Sequence, residues 1–238
     1  MATWIAHLRL AEILLEHIPG LDAAAFAIGS VAPDAGIPDE KWEKFTPPPE
    51  VTHFKRSDGA HKDLADLEFY RHYLACVKAV DTPHFSFRMG YFFHLITDNL
   101  WTVAVGRPTE ERFAEQFAAD RQFIWEVKKD WYGLDHLYVR DHPNCLFWRV
   151  FLDANPDGLA LDFFPAEALP LQLHYIKSFY QRRDDKIQAL YQRPYIYLSQ
   201  AAMDDFVEQS AQRLFRIYNG IWQDHAAVED FSSALEIF

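Results

Sequence analysis

Apolar residues recur at helical spacing along most of the chain, so that one face of each predicted helix is hydrophobic. Alternation of apolar and polar residues, the pattern of a half-buried β-strand, extends over no more than about five positions. The sequence therefore predicts an all-α fold, a single-domain bundle of about seven or eight helices. The predicted helices span residues 4–17, 21–30, 59–80, 82–106, 109–131, 145–154, 171–191 and 199–224.

Two segments lack helical periodicity. Residues 35–58 form a long predicted loop that contains the run Pro47-Pro48-Pro49, and a connection of this length is uncommon in a compact domain and often functional. Within it, Val51-Thr52-His53-Phe54 places a histidine between apolar residues, so we expect His53 to turn inward. The second irregular segment spans residues 155–170 and is rich in proline and glycine.

The most apolar predicted helix contains the stretch from Gly90 to Trp101, in which His94 and Asp98 are four residues apart. Side chains at this spacing leave the same face of a helix. A helix that is hydrophobic all round is usually buried, and a buried imidazole or carboxylate is costly unless it is paired. Two explanations remain open at this point: a hydrogen-bonded pair in the core, or a pair of metal ligands.

The overall composition excludes several classes of protein. The formal net charge is −12, and an acidic chain makes nucleic acid an unlikely partner. Two cysteines, Cys76 and Cys145, cannot form a disulfide framework, and neither lies in a Cys-x-x-Cys pair. No stretch reaches the roughly 18–20 apolar residues of a membrane span. Residues 1–20 predict an amphipathic helix rather than a signal peptide, so we expect a cytoplasmic protein.

Five residues of the first hundred could hold a metal ion: His7 in the first helix, Asp34 in the turn after the second, His53 in the long loop, and His94 with Asp98. All five lie beside apolar residues. Zinc takes four ligands of these types, and imidazole with carboxylate also suits iron or manganese.

The order and spacing of these residues resemble the zinc-dependent phospholipase C family, whose superfamily includes the trinuclear zinc single-strand nucleases. The resemblance consists of a Gly-x-x-x-Pro-Asp motif that ends at Asp34, a Thr-His-Phe motif around His53, and a Gly-x-x-x-His-x-x-x-Asp motif that runs from Gly90 to Asp98. It implies a phospholipase C/nuclease-like fold. Beyond Trp101 only the general helical character matches. We therefore expect a metal-site core in residues 1–106 and a helical C-terminal part in residues 107–238.

The resemblance implies one zinc ion surrounded by Asp34, His53, His94 and Asp98. Asp98 would bridge to a second metal ion that also binds His7. Asp34 and Asp98 would be the catalytic residues at these metals. The expected cofactor is therefore one or two zinc ions.

The chain departs from the family's pattern at two metals. In the family, the free amine and carbonyl of an N-terminal Trp complete the second metal, whereas here Trp4 lies three residues inside the chain. The third metal of the family uses two histidines soon after the bridging aspartate, but no histidine lies between His94 and His136. We predict that the third metal is absent or rebuilt, with His136, His142 and Asp135 as the nearest candidates.

These expectations predict a zinc-dependent phosphoric ester hydrolase. Zinc lowers the pKa of bound water from about 15.7 to about 7, which supplies hydroxide at neutral pH. Attack of that hydroxide on phosphorus would displace an alcohol from a phospholipid headgroup or a small soluble phosphoester. The oligomeric state does not follow from the sequence.

Two other interpretations remain. A helical phosphohydrolase of the His-Asp type requires an adjacent His-Asp pair, and this chain has only the reverse order, as at Asp135-His136 and Asp141-His142. The second interpretation is a non-catalytic helical protein, metal-stabilised or metal-free, whose aromatic residues line a ligand pocket or a partner interface.

Overall fold

Helices make up most of the computed structural model, which describes residues 1–55, 64–77 and 82–238. They pack into one compact all-α domain, which confirms the predicted fold class. The α-helices are α1 (Trp4–His17), α2 (Ala23–Gly29), α3 (Pro49–Thr52), α4 (Asp66–Tyr73), α5 (Pro83–Trp101), α6 (Arg107–Arg112), α7 (Ala114–Ala119), α8 (Phe123–Asp141), α9 (Leu146–Arg149), α10 (Ala168–Tyr180), α11 (Asp185–Gln192) and α12 (Gln200–Tyr218).

The predicted loop 35–58 contains regular structure where it is described. Strands β1 (Ile37–Pro38) and β2 (Phe45–Thr46) pair antiparallel, with Ile37 opposite Thr46, and α3 follows them. Part of the predicted helix 59–80 lies outside the described residues, and α4 is its helical remainder. Shorter helical turns complete the chain: 3₁₀ turns at Ala32–Asp34, Phe151–Asp153 and Ala234–Glu236, and π-helical turns at Thr102–Gly106 and Asn219–Gln223.

Two long predicted helices are interrupted in the structure. The predicted bounds of the helix 109–131 are wrong. The helical conformation is interrupted between α7 and α8, and α8 continues to Asp141. At this break the Asp120 carboxylate accepts a hydrogen bond from Gln122 N at 2.8 Å. Asp184, which caps α11, likewise divides the predicted helix 171–191 by accepting bonds from two backbone amides. Side chains that bind nearby backbone amides compete with helix continuation.

Two glycines allow α2 and α5 to pack backbone against backbone. A Cβ atom at Gly29 would lie 2.0 Å from the carbonyl oxygen of Phe87, and one at Gly90 would lie 2.3 Å from the carbonyl oxygen of Phe26. No side chain fits at either position. This close approach brings the end of α2, and the turn that follows it, onto the face of α5 that carries His94.

Helix α5 lies at the centre of the molecule, as its apolar sequence predicts. Every residue from Met89 to Asn99 is buried, including His94 and Asp98. Helix α1 packs against α5 and α12, and its buried face includes His7. The helices that carry the site therefore belong to the hydrophobic core. Among the described residues, we find no helix with both the length and the apolarity that crossing a bilayer requires.

Candidate metal centre

Five side chains from four parts of the chain converge on one buried point. They are His7 from α1, Asp34 from the 3₁₀ turn after α2, His53 at the end of α3, and His94 and Asp98 from α5. Donor atoms of His7, His94 and Asp98 lie within 4.8 Å of one another, as do those of Asp34, His53 and His94. The structure thus brings together the five residues that the sequence singled out. These buried groups could hold a metal ion.

The distances between the donor atoms match those between ligands of a single cation. His53 Nε2 lies 3.3 Å from Asp34 Oδ1 and 3.7 Å from Asp98 Oδ2. The Asp98 oxygens lie 3.5 Å from His94 Nε2 and 3.4 Å from His7 Nε2. Hydrogen bonds from N–H to oxygen measure about 2.7–3.2 Å, whereas tetrahedral ligands about 2.0–2.1 Å from zinc are separated by about 3.4 Å.

Four of these donor atoms lack a hydrogen-bond partner among the described residues: the Nε2 atoms of His7, His53 and His94, and Oδ2 of Asp98. All four residues are at most 2 % exposed. A buried polar atom without a partner costs about 1–3 kcal/mol. A hydrogen-bonded core pair, the simpler explanation of the sequence pattern, leaves these four atoms unsatisfied. A bound cation accounts for all four at once.

Two of the imidazoles are oriented by their other nitrogen. His94 Nδ1 lies 2.9 Å from the carbonyl oxygen of Ser30, which can only accept a hydrogen bond, so Nδ1 carries a proton and the neutral ring presents the lone pair of Nε2. His53 Nδ1 lies 3.0 Å from Thr52 Oγ1, and the Thr52 carbonyl accepts a bond from the Tyr91 hydroxyl. Metal-binding histidines are commonly held in this way, because the second bond sets the tautomer and the ring orientation.

Phe54, directly after His53, has a positive φ of 51°, which is unusual for a bulky residue. Its ring packs edge-to-face on Phe69, with ring centroids 5.4 Å apart. This packing holds the turn that directs His53 inward. Such strained residues tend to occur at functional sites.

The two carboxylates are also held in place, by groups whose contacts the sequence did not predict. The indole of Trp4 donates a hydrogen bond to Asp34 Oδ2 at 2.8 Å, which leaves Oδ1 facing His53. The backbone amide of Ala2 donates to Asp98 Oδ1 at 2.7 Å. Trp4 and His7 are three residues apart and share a face of α1, so helical spacing was the signal that could have revealed Trp4.

The surroundings of the two carboxylates keep both of them ionised. Burial tends to raise the pKa of Asp34, but the neighbouring imidazoles of His53 and His94 outweigh it, and the net pKa lies below its ordinary value. The pKa of Asp98 lies well below its ordinary value, because the Met1 amino group and His94 favour the carboxylate more than burial opposes it. Both carboxylates are therefore ionised at neutral pH.

The pKa values of His7 and His94 shift in opposite directions. Burial, together with the adjacent His94, lowers the pKa of His7 to about 4. Burial opposes protonation of His94 too, but Asp98 outweighs it and raises the pKa of His94. The two rings are stacked, with centroids 3.8 Å apart, and two protonated rings in such contact repel each other. A neutral His7 beside two ionised carboxylates suits a divalent cation.

The residues named as candidates for a third metal lie elsewhere. Both oxygens of Asp135 accept hydrogen bonds, from the hydroxyls of Thr3 at 2.7 Å and Tyr180 at 2.5 Å. His142 is exposed, and its Nδ1 lies 2.9 Å from the carbonyl oxygen of Tyr138. His136 is buried against aromatic rings. In the described part of the chain these three residues join no group of candidate metal ligands, so they do not rebuild the missing site.

His136 should make the protein sensitive to acid. Neither ring nitrogen has a hydrogen-bond partner among the described residues, and burial, with the nearby Arg182, lowers the pKa of His136 to about 4. This folded-state pKa lies below the unfolded value of about 6.5. The contribution of His136 to the free energy of unfolding is therefore present above pH 6.5 and is lost as the pH falls. We expect His136→Leu to reduce the loss of unfolding free energy between pH 7 and 5 by about 2 kcal/mol.

Urea unfolding of both proteins at the two pH values measures this difference. His142→Leu, on an exposed histidine just after the same helix, is the control and should retain the pH dependence of the unmodified protein. If His136→Leu kept the same pH dependence of unfolding as the unmodified protein, then His136 either remains neutral in the unfolded chain or is protonated without cost in the folded one.

A cavity of about 400 Å³ opens beside Asp34 and His53. Its volume falls within the roughly 300–1,000 Å³ of small-molecule sites. Asp34 is 12 % exposed, so it is the most accessible of the candidate ligands. The cavity wall is mostly apolar, and its aromatic residues are Trp4, Trp42, Phe45, Trp125, Trp131, Tyr132, Tyr175 and Phe179.

Comparison of the chain with protein-family models, with curated proteins and with solved structures gives no match. The likeness to the zinc-dependent phospholipase C family therefore consists of the three sequence motifs. The fit to a metal ion is independent of that likeness, because it follows from the donor types, from their spacing and from the lack of hydrogen-bond partners within residues 1–55, 64–77 and 82–238.

Proposed function

We propose that the protein is a metal-dependent hydrolase of phosphoesters, with zinc as the metal and iron or manganese as alternatives. One observation supports this most strongly: four buried donor atoms that have no hydrogen-bond partner among the described residues lie at ligand spacing, and His53 and Asp34 of the same cluster line a cavity. A structural metal site is normally closed, whereas a catalytic one keeps a position open to substrate.

The chain's own residues have distinct parts in this proposal. His7, His53, His94 and Asp98 would hold the cation, and Ser30 and Thr52 orient two of the imidazoles. When bound, a divalent cation lowers the pKa of water and polarises a phosphoryl oxygen.

Asp34 is both a candidate ligand and the carboxylate nearest the cavity. Trp4 holds one of its oxygens, and its lowered pKa keeps it ionised. Asp34 can therefore accept a proton from water that enters from the cavity.

The cavity indicates the kind of substrate. A largely apolar wall with several aromatic rings suits a phosphoester with an apolar part, such as a lipid headgroup ester or a small aryl ester, more than a polyanionic strand. The net charge of −12 also makes nucleic acid the weaker candidate, because phosphate backbones require many basic contacts.

Hydrolysis of bis(p-nitrophenyl) phosphate tests the proposal directly. Protein loaded with zinc should release p-nitrophenol, and a chelator should abolish the release until metal is restored. Asp34→Asn should lose at least about 100-fold in kcat, since the ionised carboxylate is removed. Asp205→Asn, at an exposed position of α12, is the control and should keep full activity. Metal-loaded protein without turnover of phosphodiesters or phosphomonoesters would reject the hydrolase.

A non-catalytic binding protein is the second candidate, and the aromatic lining of the cavity is the observation that favours it. In that case the buried cluster would hold a metal only to stabilise the fold. Metal-loaded protein would then bind a ligand in the cavity without turnover, and removing the metal would lower the melting temperature.

A further inference from the structure

We propose that Lys128 binds the anionic group of the cavity's ligand, and that this ligand carries an apolar substituent that packs against the aromatic wall. The inference rests on the proposed phosphoester chemistry of the metal centre. It concerns recognition of the substrate, and the role of Lys128 can be measured without turnover.

Lys128 is the only Lys or Arg among the described residues that line the cavity. It lies on α8, and its Nζ atom is 4.8 Å from the ring centroid of Trp125, another lining residue. A cation at this distance from an indole face is weakly attracted to it, which holds the long side chain at the cavity wall. Lys128 has no carboxylate partner among the described residues.

Lys128 lines the same cavity as Asp34, one of the candidate metal ligands. Burial lowers the pKa of Lys128, while the Asp34 carboxylate raises it, so the ammonium group lies within the field of the cluster. A half-buried ammonium without a counter-ion is costly, and an anion bound between it and the metal would remove that cost. A phosphoryl group presents several oxygens, so it can reach both the metal and Lys128.

The mouth of the cavity accounts for the apolar substituent. Trp42 is 60 % exposed and Trp125 is 55 % exposed, and both line the cavity. Tyr175, also exposed, lies 5.8 Å from Trp42 between ring centroids. Large exposed aromatic side chains gathered at one opening mark a binding surface for an apolar group.

The neighbouring lysine provides a matched control. Lys129 is 53 % exposed, pairs with Glu126 on α8 and does not line the cavity. Like Lys128, it is a lysine on α8, but it lies outside the lining of the cavity. A general effect of removing a positive charge from α8 should therefore appear equally at both positions.

Phenylphosphonate, which has a phosphonate anion and an aromatic ring but no hydrolysable ester, is the probe. Binding to full-length protein incubated with excess zinc is measured by calorimetry. Lys128→Met should weaken binding at least 10-fold, whereas Lys128→Arg, which keeps the charge, should weaken it less than 3-fold, and Lys129→Met should leave it unchanged. Methylphosphonate, without the ring, should bind at least 10-fold more weakly than phenylphosphonate.

Benzyl alcohol, which has the ring but no charge, separates recognition of the anion from packing. It should bind Lys128→Met as well as it binds the unmodified protein. An equal loss for benzyl alcohol and phenylphosphonate would overturn the proposal, and so would phenylphosphonate binding that is absent or insensitive to Lys128→Met. If dihexyl phosphate binds more tightly than phenylphosphonate, the ligand is lipid-like. If phenylphosphonate binds more tightly, the ligand is a soluble aromatic ester.

The two proposals fail in different ways. Weakened phenylphosphonate binding in Lys128→Met, without turnover of any phosphoester, would keep the anion site and reject the hydrolase. Turnover with an unchanged KM in Lys128→Met would keep the hydrolase and reject the role of Lys128.

Discussion

Replacing His94 or Asp98 by Ala should reduce the affinity for zinc by at least about 100-fold. Each change removes a donor atom that lies within about 3.7 Å of another candidate ligand. The expected loss exceeds the roughly 10–100-fold that follows from changing a residue which only orients a ligand. Elemental analysis of the purified proteins, followed by competition with a chromophoric chelator, measures it.

His72→Ala is the matched control. His72 also lies on a helix, and its Nδ1 is 2.9 Å from a backbone carbonyl, that of Glu68, but it is exposed and belongs to no group of candidate metal ligands in the described part of the chain. Its zinc content should equal that of the unmodified protein. Circular dichroism establishes that the His94 and Asp98 variants remain helical. Unchanged metal content in both variants would rule out the metal centre and leave a hydrogen-bonded core.

Gly90→Ala should destabilise the protein by about 3 kcal/mol or more, since overpacking against rigid backbone leaves little room to relax. The new Cβ atom would meet the Phe26 carbonyl oxygen at 2.3 Å and the Ser30 amide nitrogen at 2.9 Å. Displacing Ser30 also moves the carbonyl that orients His94, so the zinc affinity should fall together with the stability. Urea unfolding and chelator competition measure the two effects.

Gly106→Ala is the control for this change. A Cβ atom at Gly106 would meet nothing closer than the Trp101 carbonyl oxygen at 3.8 Å. Because Ala favours helical backbone over Gly by about 0.5–1 kcal/mol, this variant should be as stable as the unmodified protein or slightly more stable. Equal stability of Gly90→Ala and Gly106→Ala would mean that α2 and α5 do not approach as closely as the structure indicates.

Local sequence determined the helical character and the face that His94 and Asp98 share. Helix α1 has the predicted bounds, because the Thr3 side chain caps its start and Ile18-Pro19-Gly20 follows its end. The burial of α5 follows from its composition, which is apolar on every side. Such features depend on residues a few positions apart, so periodicity is sufficient to predict them.

Local sequence was less informative where a single side chain redirects the backbone. Asp120 follows the end of α7 and Asp184 caps the start of α11, yet both are compatible with continued helix in the pattern alone. The short strands β1 and β2 contain two residues each and carry too little alternation to be recognised.

Only the tertiary structure decided which atoms meet. His7 and Asp98 are distant in sequence, and their contact depends on how α1 packs against α5. Helical spacing places Trp4 on the same face as His7, but its bond to Asp34 depends on the packing of separate segments. The carbonyl of Ser30 behind His94 and Lys128 at the cavity wall have no local signature. Side-chain type and spacing along one helix name the candidates for a site, but the approach of separate helices sets the distances that determine whether they can bind one ion.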